Sequence, residues 1–146
     1  MNYLYLGLGD LYLPAAAAAI HLQRIMPGEE ELLQLPYFRP ACPADEGRLY
    51  LAGRDMFGHN VYLTFVSEHP DIFVRGIQSL LGILKLPRDA MQVIPVLLEN
   101  PRVGTLCRLL QKLGLPAAAN YLGLRLVRNR KSDLLGLAAW KKHHGG

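Results

Sequence analysis

The first 26 residues constrain the fold most, because they place an apolar strand, a glycine turn and a helix in direct succession. Tyr3 to Leu8 (YLYLGL) is an apolar and aromatic run ended by Gly7 and Gly9, which is typical of a buried strand. Pro14 lies at a helix start, where a missing N–H costs nothing, and Ala15 to Met26 predicts the helix. This order is that of the opening unit of a parallel α/β sheet.

The rest of the chain continues with further strands and helices. Two β-rich runs joined by a turn predict a hairpin, and a proline in the strand that follows favours a sheet edge. The predicted elements are a short helix over Glu29 to Gln34, hairpin strands over Arg48 to Ala52 and Asn60 to Ser67, a helix capped by Asp71 and closed by Pro87, a strand over Met91 to Asn100 containing Pro95, a helix from Pro101 to Gly114, a strand over Asn120 to Val127 and a terminal helix from Ser132.

These elements predict one α/β domain over residues 1–142, followed by a disordered tail over 143–146. We expect a three-layer sandwich, Rossmann-like, with a mostly parallel sheet of four or five strands, one β-hairpin, and helices on both faces. A chain of 146 residues is long enough to bury a substantial core.

The charge distribution disfavours a nucleic-acid binder, although the net charge is +4 and the pI about 9.2. Six of the sixteen basic residues fall in the last 22 positions, where Trp140 is the single aromatic, as on the solvated face of a terminal helix. Cys42 and Cys107 form no CxxC pair, which favours two reduced thiols in a cytoplasmic protein. Asp10 and Pro14 interrupt the first apolar run, so it predicts neither a secretory signal nor a membrane span.

Histidines are the candidates for chemistry elsewhere in the chain. The five histidines and two cysteines lack metal-ligand spacings such as HExxH, so we predict no metal, and no motif predicts a cofactor. His21 lies mid-helix, where a hydrogen-bonded core or boundary histidine is the alternative to a catalytic base.

The first turn is a weak candidate for anion binding through Gly7, Gly9, Asp10 and Tyr12. Backbone N–H groups at a helix N-terminus favour a phosphate or carboxylate. A dinucleotide fingerprint needs a third glycine where this chain has Tyr12, so a purely structural corner is the alternative interpretation. Neither Asp10 nor Tyr12 has an ordinary pKa suited to neutral-pH catalysis, and we predict no catalytic residue here.

A second polar group lies in the hairpin turn, where Arg54, Asp55 and His59 follow one another closely. If they serve a site, their side chains should converge with the first turn at the carboxyl edge of the sheet, where Arg102 is a further anion-binding candidate. The alternative is that Asp55 and its neighbours set turn geometry only, and that Arg102 belongs to an ordinary helix start.

Several segments together resemble a known family. Ala17-Ala18-Ala19-Ile20-His21-Leu22, Gly53-Arg54-Asp55 with Gly58 and Val61-Tyr62, and "NPRVGTLCRLLQKLGLP" are similar to the uncharacterised bacterial family called domain of unknown function 3189, represented chiefly in Firmicutes. Family members carry Gly-Gly, one variable residue and His-Ser-Ser in the first turn. This chain has Gly9-Asp10-Leu11-Tyr12-Leu13-Pro14 instead, so the resemblance implies a divergent member and no established reaction.

Two functions stay open. The first is a small cytoplasmic protein that binds a phosphate- or carboxylate-bearing small molecule at the first strand, turn and helix. The second is a non-enzymatic interaction protein or homo-oligomer with a degenerate ligand turn. Met56 and Phe57 at the hairpin tip would then mark a partner contact, and their packing under the proline-rich loop is the alternative. The second predicts an exposed apolar patch.

Overall fold

The computed structural model describes residues 2–8, 11–23, 27–35, 37–38, 46–96, 109–110, 112–129, 134 and 136 of the chain. Within these residues lie four strands and four helices. They are β1 (Asn2–Leu8), α1 (Tyr12–Gln23), α2 (Glu29–Gln34), β2 (Tyr50–Arg54), β3 (Asn60–Val66), α3 (Pro70–Ile83), β4 (Met91–Val96) and α4 (Pro116–Asn129).

The strands form one mixed sheet in the order β2-β3-β1-β4. β1 pairs in parallel with β3 on one side and β4 on the other, while β2 pairs antiparallel with β3. The predicted α/β class and the hairpin are therefore confirmed, and Pro95 lies on an edge strand, where its missing N–H is tolerated.

The alanine-rich helix α1 is buried on every side from Tyr12 to Ile20. It packs against all four strands and against α4, so the sheet covers one side of the helix and α4 covers the other. Small alanine side chains let both neighbours approach closely, and a helix that is apolar all round is the kind found in a protein core. The helix begins three residues before the predicted Ala15, so Pro14 lies within its first turn.

The two faces of the sheet bear different helices. Tyr3 and Tyr5 face α1, since the Tyr5 hydroxyl contacts His21. Leu4 and its β4 neighbour Val93 point to the opposite face, because side chains alternate along a strand. α3 lies over that second face and shares a cavity with β4.

Two sequence predictions about element boundaries are wrong. Residues 120–127 form part of α4, not a strand. Asp71 does not cap α3, because the helix begins at Pro70 and His69 occupies the N-cap position without a side-chain hydrogen bond. The predicted helices from Pro101 and Ser132, both cysteines and the tail 143–146 lie wholly or largely outside the described residues.

Candidate functional site

The hairpin turn over 55–59 lies at the edge where β1 and β3 begin, which we call the amino edge. Asn2 is paired with Asn60 in parallel register, so both strands start together, and the turn directly precedes β3. α1 follows β1 and returns toward its start, which brings His21 to the same edge. Gly58, with a φ of 81°, takes the left-handed conformation this turn requires.

Asp55 holds the turn together and connects it to α1. One carboxylate oxygen, Oδ1, accepts the backbone N–H groups of Phe57 and His59, each at 2.9 Å. The other, Oδ2, lies 3.1 Å from His21 Nε2. An ionised carboxylate only accepts hydrogen bonds, so Nε2 is the donor, and in a neutral imidazole Nδ1 is then free to accept. The Tyr5 hydroxyl supplies that donor at 2.7 Å.

Aromatic rings enclose this chain of hydrogen bonds. The Tyr3 ring centroid lies 4.8 Å from the His21 ring and 5.6 Å from the His59 ring. His59 Nδ1 lies 3.5 Å from Asp55 Oδ2 without forming a hydrogen bond among the described residues. We call Tyr3, Tyr5, His21, Asp55 and His59 the amino-edge cluster.

Burial and charge shift the pKa values in the amino-edge cluster. Burial alone would raise the pKa of Asp55, but the hydrogen bonds from His21 and from the backbone of His59 and Phe57 outweigh it and hold the pKa below its ordinary value. Burial raises the pKa of Tyr5, with smaller contributions from Tyr3 and the Asp55 charge. The carboxylate is therefore the charged member of a network whose phenol stays neutral.

Within the amino-edge cluster, Tyr5, His21 and Asp55 are hydrogen-bonded in the order of a nucleophile, a base and an orienting group, but the cluster is closed to substrate. Tyr5 is buried, and the His21 and Asp55 side chains are each less than a tenth exposed, so a substrate has no direct access to the Tyr5 hydroxyl or the His21 ring. The arrangement instead ties the hairpin turn to β1 and α1. His21 is thus a hydrogen-bonded boundary histidine, and Asp55 does set turn geometry.

The expected convergence of the hairpin turn with the first turn is wrong. The first turn follows the carboxyl end of β1, whereas Arg54, Asp55 and His59 lie at the amino edge. Arg54 belongs to β2, with its Nε 3.4 Å from Asn60 Oδ1. Because β1 and β3 are parallel, a turn that precedes β3 cannot meet a turn that follows β1.

At the carboxyl edge the described residues give an anion little opportunity to bind. Gly7 lies inside β1, paired with both neighbouring strands. The Tyr12 hydroxyl donates to Asn120 Oδ1 of α4 at 3.2 Å, and Leu11 to Leu13 are fully buried. Glu68 and Asp71 add exposed carboxylates near the end of β3. Gly9, Asp10 and Arg102 lie outside the described residues, so their role in binding stays a prediction.

A cavity of about 390 Å³ opens between α3 and β4, on the sheet face opposite α1. The polar side chains Gln78 and Gln92 line it in part. Its apolar lining is formed by Val74 and Ile77, one turn apart on α3, and by Met91 and Val93, which share one face of β4. All four are half-buried. Small-molecule sites have volumes of roughly 300–1,000 Å³, so this cavity is of suitable size.

The loop between α3 and β4 adds a cation and an anion to the cavity lining. Arg88 and Asp89 are adjacent, exposed, and both line the cavity. Among the residues that the structure describes, neither has a hydrogen-bonding or ion-pairing partner. Apolar side chains beside two opposite charges suit a small molecule with an apolar body and a charged head group.

Sequence reasoning missed this cavity. The segment "LPRDAM" offers only a charged pair between a helix and a strand, and such pairs are ordinarily solvated loop residues. The cavity depends on α3 crossing over β1 to reach β4, a spatial relation that no local pattern reveals.

A family model described as "Protein of unknown function (DUF3189)" matches residues 2–142. The chain belongs to the DUF3189 family. This confirms the family resemblance and assigns no activity. No curated protein and no solved structure matches the chain significantly.

Two further observations bear on this DUF3189 member. None of the described helices is long and apolar enough to cross a membrane. Within the described ranges, no group of three or more histidine, cysteine, aspartate or glutamate side chains is placed to hold a metal ion.

Proposed function

We propose that the protein binds a small carboxylate-bearing molecule with an aliphatic body in the cavity between α3 and β4. The observation that carries the proposal is the pair of opposite charges, Arg88 and Asp89, which have no partner among the described residues and lie beside the apolar side chains of the cavity. The proposal keeps one of the ligand classes expected from the sequence but moves the site away from the first turn. It takes the protein as cytoplasmic and its fold as a three-layer α/β arrangement.

The two charges define the ligand further. A guanidinium binds a carboxylate through two parallel hydrogen bonds, and an aspartate attracts an ammonium group. A molecule carrying both groups on one carbon atom matches adjacent Arg88 and Asp89, while Val74, Ile77 and Val93 accept a branched aliphatic chain. The simplest such ligand is an aliphatic α-amino acid, and we take L-leucine as the probe.

Binding is tested by calorimetric titration of L-leucine and of two fragments of it. Isocaproate keeps the carboxylate and lacks the amine, whereas isopentylamine keeps the amine and lacks the carboxylate. We expect saturable binding of leucine and at least about tenfold weaker binding of each fragment, because each loses one charge-assisted hydrogen-bonding partner. Leucine should also raise the melting temperature in a concentration-dependent way.

Substitutions locate the site. Arg88→Gln and Asp89→Asn should each weaken leucine binding about tenfold to a hundredfold. Arg75→Gln is the matched control, because Arg75 is an exposed arginine of α3 that does not line the cavity. Equal binding by all three variants, or no binding of leucine to the unmodified protein, contradicts the proposal.

Anion binding by the first turn is a separate proposal with its own probe. Inorganic phosphate that raises the melting temperature of Arg88→Gln and of the unmodified protein equally would support it. A phosphate effect that Arg88→Gln abolishes would assign the anion to the cavity.

A further inference from the structure

The cavity between α3 and β4 has its charged residues at one end. β3 ends with Val66 at the carboxyl edge of the sheet, and β4 begins with Met91 at the amino edge, so α3 runs from the carboxyl edge back to the amino edge. Arg88 and Asp89 lie just before β4 and are therefore at the amino-edge end of the cavity. The other lining residues can be ordered by their separation from these two charges.

The described lining residues farthest from the charges are two valines, one on each wall. β4 leads away from Asp89, so Val93 lies about 6–7 Å beyond Met91 along the strand. α3 runs in the opposite direction to β4, so its earlier residue Val74 lies about 4–5 Å beyond Ile77 along the helix. Val74 and Val93 thus form an apolar end of the cavity, opposite the charged end.

Leucine is shorter and smaller than the space that this lining surrounds. Bonds of about 1.5 Å advance an extended carbon chain by roughly 1.3 Å per methylene, so the step from the near to the far residues accommodates about three to five methylenes. The volume agrees, because about 390 Å³ holds about 13 non-hydrogen atoms at roughly 30 Å³ each, and leucine has nine. A longer aliphatic side chain therefore fills the cavity better.

We infer that the cavity selects α-amino acids with an extended aliphatic side chain of about six carbons, and that Val74 and Val93 determine the accepted side-chain length. The inference rests on the proposed function, because Arg88 and Asp89 must hold the head group for the side chain to extend toward the valines. L-2-aminooctanoate carries such a side chain and is the probe. Each methylene is buried against apolar side chains until the chain reaches Val74 and Val93, and a longer chain gains nothing more.

Calorimetric titration with straight-chain L-α-amino acids tests the length. The series runs from L-norvaline through L-norleucine to L-2-aminooctanoate and L-2-aminodecanoate. Kd should fall about fourfold for each added methylene up to about six side-chain carbons, with no gain beyond, because only methylenes inside the cavity leave water. Arg88→Gln should weaken binding of every member by the same factor, since it acts on the shared head group.

Substitutions of the two valines should change the preferred length in opposite directions. Val74→Phe should weaken binding of L-2-aminooctanoate at least about tenfold and leave L-norvaline within about twofold, because only the longer chain reaches the far end. Ile72→Phe is the matched control, since Ile72 is an exposed apolar residue of α3 that does not line the cavity. Val93→Ala makes room and should lengthen the preferred side chain by about one or two methylenes. It also keeps the inference testable if Val74→Phe fails to fold.

The outcomes separate this inference from the proposed function. Leucine binding that depends on Arg88, without a gain in affinity along the series, would overturn the inference and leave the proposed function standing. A gain along the series that is the same in Val74→Phe, Val93→Ala and the unmodified protein would also overturn the inference. Absence of binding by every amino acid, leucine included, would overturn both.

Discussion

Asp55 connects three parts of the chain at the scale of a single residue. Its carboxylate accepts hydrogen bonds from two backbone N–H groups of the hairpin turn and from the ring of His21. The other ring nitrogen of His21 accepts a hydrogen bond from the Tyr5 hydroxyl of β1. The hydrogen bonds of a charged group contribute more than neutral ones, and removing one partner leaves the other buried without compensation.

Asp55→Asn should lower the free energy of unfolding by about 1.5–3 kcal/mol at neutral pH, because His21 loses a charged acceptor. Urea denaturation measures the change. Asp89→Asn is the control, since that exposed carboxylate has no partner among the described residues, and it should stay within about 0.5 kcal/mol of the unmodified protein. Equal stability of both variants would remove the structural role of Asp55.

The Asp55 carboxylate also makes the free energy of unfolding depend on pH. The pKa of Asp55 is lower in the folded protein than the ordinary value of about 3.9, so the unfolded chain takes up the proton first as pH falls. The stability contributed by Asp55 is complete above about pH 5 and is lost as pH falls through the folded pKa. The difference in stability between the unmodified protein and Asp55→Asn should therefore shrink below about pH 4; a constant difference would contradict the assignment.

Tyr5→Phe removes the hydrogen bond between the Tyr5 hydroxyl and His21, at the other end of the network. The ring remains, but His21 Nδ1 loses its donor inside the protein, which should cost about 1–3 kcal/mol of unfolding free energy. Tyr121→Phe removes the same hydroxyl from a ring that is 63% exposed and should change stability by less than about 0.5 kcal/mol. Comparable losses in the two variants would mean that the buried hydroxyl contributes nothing specific.

At the scale of elements, the packing of α1 against α4 includes one very close approach. Gly123 of α4 lies against the Tyr12 ring so tightly that a Cβ there would overlap the ring. Gly123→Ala should destabilise the fold by about 1–3 kcal/mol through overpacking. In α3, Gly82 has open space around it, so Gly82→Ala should raise stability by up to about 1 kcal/mol. Thermal unfolding of both variants checks the opposite signs.

The α4 helix also shows why the local sequence pattern predicted a strand where the structure has a helix. Leu122, Leu124 and Leu126 alternate with glycine and arginine, which favours a strand. The buried positions Ala119, Gly123 and Val127 instead recur every four residues, as on one side of a helix, and Pro116 begins the helix as its first residue. Over eight residues the two periods overlap, and packing against α1 decides between them.

At the scale of the whole molecule, the sequence predicts the structural features that depend on residues close together along the chain. The strand and helix of the first 23 residues, the hairpin and α3 were all predicted from periodicity, proline and glycine. The position of the hairpin turn relative to the first turn was not predicted, because it depends on β3 lying parallel beside β1. The cavity depends likewise on the crossover from β3 to β4, so no residue of its lining was predicted from the sequence to bind a ligand.

The measurement that tests the account most directly is a titration of the isotopically labelled protein with L-leucine, followed by the shifts of backbone amide resonances. Leucine bound in the cavity should give concentration-dependent shifts confined to the amides of Val74 to Gln78 and Arg88 to Val93, with those of Asp55 to His59 unchanged. Shifts centred on residues 55–59 or 11–13, or none at saturating leucine, would contradict it.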